Sequence, residues 1–196
     1  RVLREKGRSI YLTGSSARML SKEVATSMRG RSLAHEIFPL SFSEFLRFRD
    51  KPLPLTLGSF QEYLTNGGFP ETVGKSLQLR NKILQEYAEV LLLRDVVERN
   101  EVSNIPAIRH LFFLLLNQVS SSYTVNKLFE KLRASGLRCE KALISDALRW
   151  FEDCYALFSV SCWSRSFSRK ATNPKKIYAI DNGLTNAVTS HSKAEE

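Results

Sequence analysis

Ile10-Tyr11-Leu12-Thr13-Gly14-Ser15-Ser16 leads, through Leu20-Ser21 and Arg29-Gly30-Arg31, to Phe38-Pro39-Leu40-Ser41-Phe42-Ser43-Glu44-Phe45, and this block decides how the chain is read. Ser9 to Leu12 is a short apolar and aromatic run ending in a small polar cluster. That is the pattern of a buried parallel strand reaching the functional edge of an α/β sheet, and the polar tip is where a ligand is expected. Pro39-Leu40 stops the extended run before it. Ser41 and Glu44 have capping-box spacing, and Phe42, Phe45 and Leu46 supply an apolar face for the helix that follows. The block predicts strand, helix, strand, sharp stop and helix.

Outward from the block, Lys51-Pro52-Leu53-Pro54 marks a linker, because proline fixes φ and pushes the residue before it out of the helical region. Residues 51–104 carry a short helix around Ser59 to Thr65, a turn at Asn66-Gly67-Gly68 with Pro70 shortly after, and a long helix from about Leu77 to Asn100. In that helix Leu84, Ala88, Leu91, Leu92 and Val96 return to one side at three-to-four spacing, as in a helical lid or bridge. In residues 105–181, Pro106 opens a helix with Ile108, Leu111, Phe112 and Leu115 on one face. Thr124 caps a second, with Val125, Leu128, Phe129 and Leu132, closed by Gly136. A third from about Cys139 carries Ile144, Ala147, Leu148 and Phe151. Tyr155 to Trp163 and Lys176 to Ile180 read as two strands around the polar, basic loop Ser164 to Lys175, the outline of a winged helix.

The opening block, together with Tyr63-Leu64-Thr65-Asn66-Gly67-Gly68-Phe69-Pro70-Glu71, Leu93-Arg94-Asp95-Val96-Val97-Glu98-Arg99 and Lys176-Ile177-Tyr178-Ala179-Ile180-Asp181-Asn182-Gly183-Leu184, resembles the prokaryotic AAA-like ATPases that carry a helical and winged-helix C-terminal region of unassigned function. The resemblance runs through most of the chain. It implies a mainly α (α+β) fold: a partial nucleotide-binding core remnant over 1–50, a helical lid or bridge over 51–104, a winged helix-turn-helix over 105–181 and the start of a truncated C-terminal region over 182–196. It also implies that Thr13, Ser15 and Ser16 form the polar tip of a sensor strand near the γ-phosphate and attacking water, with Ser15 foremost.

The residues hold no Gly-x-x-x-x-Gly-Lys-[Ser/Thr] motif and no metal-holding acidic strand ahead of the block. The expectation is a piece of a larger ATPase, with ATP and Mg belonging to the parent and no cofactor bound by this piece. By itself the piece is expected to be inactive. In the family a nuclease-like region with carboxylates and a lysine follows Leu184; no such set is present here, and Asp181 reads as a turn or cap residue. The first partner implied is the rest of the parent ATPase.

The composition suits a folded protein, with 196 residues and 43% hydrophobic content. The longest unbroken apolar run, Leu111 to Leu116, falls far short of the roughly 20 residues a bilayer-spanning helix needs, and no apolar signal region follows Arg1 to Arg8. No membrane partner is expected. Cys139, Cys154 and Cys162 are odd in number and lack a Cys-x-x-Cys pair, which favours reduced buried thiols and a cytoplasmic location.

The net charge of +9 is uneven: residues 61–104 hold 5 Lys/Arg against 7 Asp/Glu, while residues 105–196 hold 13 against 8. No acid occurs between Asp153 and Asp181, where Arg165, Arg169, Lys170, Lys175 and Lys176 all fall. On the third helix of the winged region, Lys141, Ser145 and Arg149 recur every four residues on one face, where they could reach a groove. Glu140, Asp146, Glu152 and Asp153 oppose them, so salt-dependent, non-specific phosphate contact by the wing is the better-supported DNA reading. Packing within a larger protein is the alternative.

No catalytic or metal site is expected. His35, His110 and His191 lack metal-ligand spacing, and His110 reads as a core histidine of an apolar helix. Ser15 has neither the second glycine of a nucleophile elbow nor a His-Asp partner pattern. Arg29 and Arg31 flank Gly30 where an arginine could reach a γ-phosphate, Arg31 being the better placed, although a basic surface turn is the favoured reading of the pair. Arg94-Asp95 reads as structural, since adjacent helical residues point about 100° apart. Two other roles stay open: a stand-alone winged-helix DNA-binding regulator, and an assembly module that forms homo-oligomers through the exposed strand edges Ile10 to Thr13 and Leu33 to Phe38.

Overall fold

Most of the helices start where a short polar side chain meets a free backbone N–H, in a computed structural model that describes residues 11, 13–15, 33, 35–49, 52–163, 165 and 174–192. Helix α1 (Phe42–Arg47) has the expected capping box: Ser41 N–H donates to Glu44 Oε2 at 2.8 Å, while Ser41 Oγ accepts from the Glu44 N–H at 3.4 Å. These Ser41 contacts hold the Glu44 carboxyl below its ordinary pKa. Helix α2 (Leu57–Asn66) opens with a second capping box, Thr56 and Ser59, and stops at Gly67, whose φ is +77°. A 3-10 turn (Pro70–Thr72) then leads to α3 (Leu77–Val90), capped by Ser76. The long helix is not α-helical to its end: Leu91–Glu98 continues it as a π-helical segment. Such segments are uncommon and are found frequently at functional sites.

Helices α4 (Ile105–Leu116), α5 (Val125–Ala134) and α6 (Lys141–Asp153) follow, the first two capped by Asn104 and Thr124. Pro106 therefore occupies the second position of α4 and does not open it; its missing N–H falls where none is needed. A three-stranded antiparallel sheet has the order β1-β3-β2, with β2 (Leu157–Ser161) and β3 (Lys175–Ala179) forming the expected hairpin. Strand β1 (Ser122–Tyr123), two residues long, pairs with β3 and has no periodicity by which the sequence could announce it. Tyr123 Oη lies 2.6 Å from Ser159 Oγ of β2, tying the two outer strands together. The protein is thus mainly helical, α+β, with seven α-helices and one small sheet among the described residues.

One hydrophobic core runs from Leu84 to Val188, so it continues across residues 104/105 and 181/182. Phe112 and Phe151 are fully buried at its centre, with rings 5.1 Å apart. The last helix, α7 (Asn182–Ser192), returns to α2 and α3. Gln85 Nε2 of α3 donates to Ala187 O at 2.9 Å, and Asn186 Nδ2 of α7 donates to Leu64 O at 3.1 Å.

Three separated motifs meet where α1, α2 and α7 converge. Leu40 N–H donates to Gly68 O at 2.7 Å, and Tyr63 Oη donates to Leu40 O at 2.8 Å. Asp181, 6% exposed, accepts from Gly68 N–H through Oδ2 at 2.6 Å and from Leu184 N–H through Oδ1 at 3.1 Å. Burial pushes its carboxyl pKa up, against the pull of backbone N–H groups from Gly68, Leu184 and Gly183. The turn-and-cap role expected of Asp181 is present, and the same side chain also locks the Asn66-Gly67-Gly68 turn from 113 residues away.

Several expectations change. The strand expected over Leu33 to Phe38 has no sheet pairing among its described residues; Phe38 instead packs edge-on to Tyr155, with centroids 5.8 Å apart. Side-chain packing on the start of the hairpin takes the place of a ladder there. His110 is exposed rather than in the core, with Nε2 3.2 Å from Ser135 Oγ, because it lies on the side of α4 away from Leu111 and Leu115. Of the cysteines only Cys154 is buried, which pushes its thiol up to about 12, whereas Cys139 is half-buried and Cys162 exposed. Ser9, Ile10 and Leu12 lie outside the described residues.

Candidate functional site

Thr13, Gly14 and Ser15 stand against the π-helical segment, and with Arg94, Asp95 and Arg99 they line a cleft of about 530 Å³. Ser15 is half-buried and Thr13 exposed; Ser16 and Arg31, the other two nucleotide-sensing candidates, lie outside the described residues, as does Arg29. The contact that builds the site is Ser15 Oγ donating to Asp95 Oδ1 at 2.8 Å, across 80 residues of sequence. Asp95 is only 6% exposed. Its Oδ1 also lies 3.4 Å from Arg94 Nε and 3.7 Å from Arg99 NH2. A carboxylate this deep is costly without partners, and Ser15 and the two guanidinium groups meet that need. Both arginines keep much of their surface in solvent, with side chains 64% and 39% exposed.

Asp95, Arg94 and Arg99 line this candidate site, and the sequence reading left them aside. A signal was present: Asp95 falls on the stripe Leu84, Ala88, Leu91 and Leu92, three or four residues beyond its last members, and a charge on an apolar stripe asks for a buried partner. Arg94 and Asp95 do not point in unrelated directions, because both side chains reach the same cleft from the π-helical turn.

A second tie joins the opening block to the later helices. Tyr155 Oη donates to Glu36 Oε1 at 2.9 Å, and Tyr155 itself adopts a φ of +58° just past α6. Ala156 N–H returns to Phe151 O at 2.9 Å, which closes the helix and leads into β2.

The nucleic-acid candidates are scattered over two faces. Lys141, Ser145 and Arg149 are all exposed on α6, and each has an intramolecular partner. Lys141 Nζ lies 5.3 Å from the Phe129 ring centroid, Ser145 Oγ donates to Lys141 O at 3.1 Å, and Arg149 NH2 donates to Asp146 Oδ1 at 2.8 Å. Lys175 and Lys176 lie on β3, and the Arg165 guanidinium is 6.0 Å from the Trp163 ring, whose residue is 82% exposed. Arg169 and Lys170 lie outside the described residues. Among the described residues no group of three His, Cys, Asp or Glu side chains is arranged to hold a metal ion, and no helix is long and apolar enough to cross a membrane.

Residues 1–46, which supply Thr13, Gly14 and Ser15 to the cleft, match an AAA domain. Residues 57–195 match the domain of unknown function DUF8612, and the chain belongs to that family. It is 34% identical over 203 residues to the uncharacterized protein MJ1544 of Methanocaldococcus jannaschii, covering 98% of this chain and 45% of that protein. It is 28% identical over 177 residues to an uncharacterized protein of Haemophilus influenzae, covering 89% of this chain and 44% of the relative. The chain therefore spans less than half the length of these archaeal and bacterial relatives. No solved structure matches.

Proposed function

We propose that this chain is the lid-bearing part of an AAA-like ATPase, in which Thr13, Ser15 and Ser16 sense the state of bound nucleotide and Asp95 carries that state into the long helix. The 2.8 Å hydrogen bond from Ser15 to Asp95 carries the reading, since it joins the AAA-matching segment to the DUF8612 region. ATP and Mg are cofactors of the parent. A serine hydroxyl drawn toward a γ-phosphate would leave Asp95, whose buried charge would then lose its hydroxyl donor. The π-helical segment would shift in response. In the complete ATPase, Ser15→Ala should lower the turnover rate by about a hundredfold, the lower end of the range for removing one positioned donor. It should also abolish ATP-dependent change in amide hydrogen exchange over 91–98. Unchanged turnover together with unchanged exchange would sink the reading. The 196-residue chain alone is expected to show neither turnover nor micromolar ATP affinity.

Residues 105–181 are proposed as a winged helix that makes non-specific phosphate contacts. Supporting this are the order helix, short strand, two helices and hairpin, and the basic residues at the hairpin. The intramolecular partners of Lys141, Ser145 and Arg149 favour the hairpin over α6 as the contact surface. In anisotropy titrations with duplex DNA, replacing Arg165, Arg169 and Lys170 should reduce the slope of log affinity against log salt by about 2 to 3, close to one per lost phosphate contact. No binding at low salt removes the DNA role. An assembly role has one observation in its favour: Leu33 and Ile37 stand 89% and 91% exposed. In the proposed parent, those residues would meet the remainder of the nucleotide core.

A further inference from the structure

Among the described residues, the cleft between Ser15 and the π-helical segment is lined by two arginines and one acid, Asp95. The Asp95 carboxylate occupies the place an external oxyanion would take. It accepts a hydroxyl hydrogen bond from Ser15 and lies within 4 Å of two guanidinium groups. The two arginine contacts, at 3.4 and 3.7 Å, are longer than a well-made charge-assisted hydrogen bond of about 2.7–2.9 Å. Among the described residues neither guanidinium has a closer acceptor, and both remain substantially exposed toward solvent. Gly14 is exposed and has no side chain to cover its backbone, while Thr13 adds a second hydroxyl at the rim.

We infer that this cleft is a phosphoryl-oxyanion site, with Arg94 and Arg99 as its cationic contacts and Asp95 as an internal anion that competes with the ligand for Ser15 and both arginines. The inference rests on the sensing role proposed for Ser15 and adds the ligand class, two contact residues and a gate. Guanidinium groups suit a phosphoryl group because several N–H donors in one plane match its oxygens. The cleft, at about 530 Å³, is larger than a single phosphate needs and has room for a chain of phosphoryl groups. Ligand entry would transfer the Ser15 hydroxyl and at least one guanidinium from Asp95 to the ligand.

The competition has a distinctive signature. Asp95→Asn keeps the shape and an acceptor for Ser15 while removing the competing charge, so it should tighten oxyanion binding by about tenfold, the order set by one unit charge at contact distance. The double variant R94Q/R99Q should weaken binding by about tenfold or more, measured on protein whose circular dichroism spectrum is preserved, because Asp95 then keeps the Ser15 hydrogen bond but loses both guanidinium neighbours. The experiment is a calorimetric titration of the 196-residue chain at low salt, with inorganic tripolyphosphate in one arm and orthophosphate in the other. Wild-type affinity should be about millimolar. Tighter binding of tripolyphosphate marks a nucleotide-type phosphate chain as the source, and equal binding marks free phosphate; either supports the oxyanion site. Binding that is unchanged in R94Q/R99Q, or no tighter in D95N with a preserved circular dichroism spectrum, overturns it. These arms need no turnover, so loss of the oxyanion site with Ser15-dependent ATPase coupling intact would refute this inference alone.

Discussion

Gly68→Ala should destabilise the protein by about 3 kcal/mol or more, lowering its thermal midpoint by about 10 °C. A Cβ at residue 68 would stand 2.2 Å from Leu40 O and 2.9 Å from Leu40 N. Both are backbone atoms, and both are held: Leu40 N–H donates to Gly68 O, and Leu40 O accepts from Tyr63 Oη. Relief therefore requires the segment before α1 to move away from the turn after α2, breaking those bonds and the one from Gly68 N–H to Asp181. Two glycines provide the comparison. Gly74 and Gly136 have φ of +77° and +75° but nothing within 4 Å of a built Cβ, so alanine there should cost only the left-handed backbone penalty of about 1–2 kcal/mol. Differential scanning calorimetry of the three variants checks this, and a Gly68→Ala midpoint grouped with the other two would show that the junction yields.

Asp181→Asn should cost about 2 to 3 kcal/mol although the side chains have the same shape. Each carboxylate oxygen accepts one backbone N–H, from Gly68 at 2.6 Å and from Leu184 at 3.1 Å. An amide can accept only one of them, and its NH2 group would face the other donor in a site that is 6% exposed. The carboxyl also imposes a pH dependence opposite to that of a surface-paired aspartate. Burial, the largest cause, raises its folded-state pKa above the ordinary 3.8, so the folded protein holds this proton more tightly than the unfolded chain does. The stability it contributes is full below the unfolded value and is reduced as pH rises through the folded value. In urea unfolding, the gap between wild type and D181N should be widest below about pH 4 and narrow toward neutrality. A gap that widens with pH would show that the N–H groups outweigh burial.

Legibility in the sequence followed the range of the interaction. The Ser41-Glu44 box, the Thr124 cap, the Gly136 stop and the β2-β3 hairpin were readable because their signals lie within three or four residues or in simple alternation. The π-helical segment was not, since Leu91 to Glu98 has the same apolar stripe that an α-helix would have. Ser15 was singled out by the family resemblance, yet nothing near it names Asp95. Arg94-Asp95, read as structural, proved to line the same cleft. The exposed position of His110 was missed for a related reason: an apolar helix has an outer face too, and only its neighbours decide which residues occupy it.

The chain by itself determined where helices start and stop, the α+β class, the acidic middle and the basic hairpin, because caps, periodicity and charge are local properties of covalent neighbours. Only the tertiary structure decided that Asp181 closes the Gly68 turn across 113 residues and that Asp95 receives Ser15 across 80. The physical reason is the same in both: a buried carboxylate takes whatever donors the packing of distant faces brings to it, and those donors carry no mark of their partner in their own sequence.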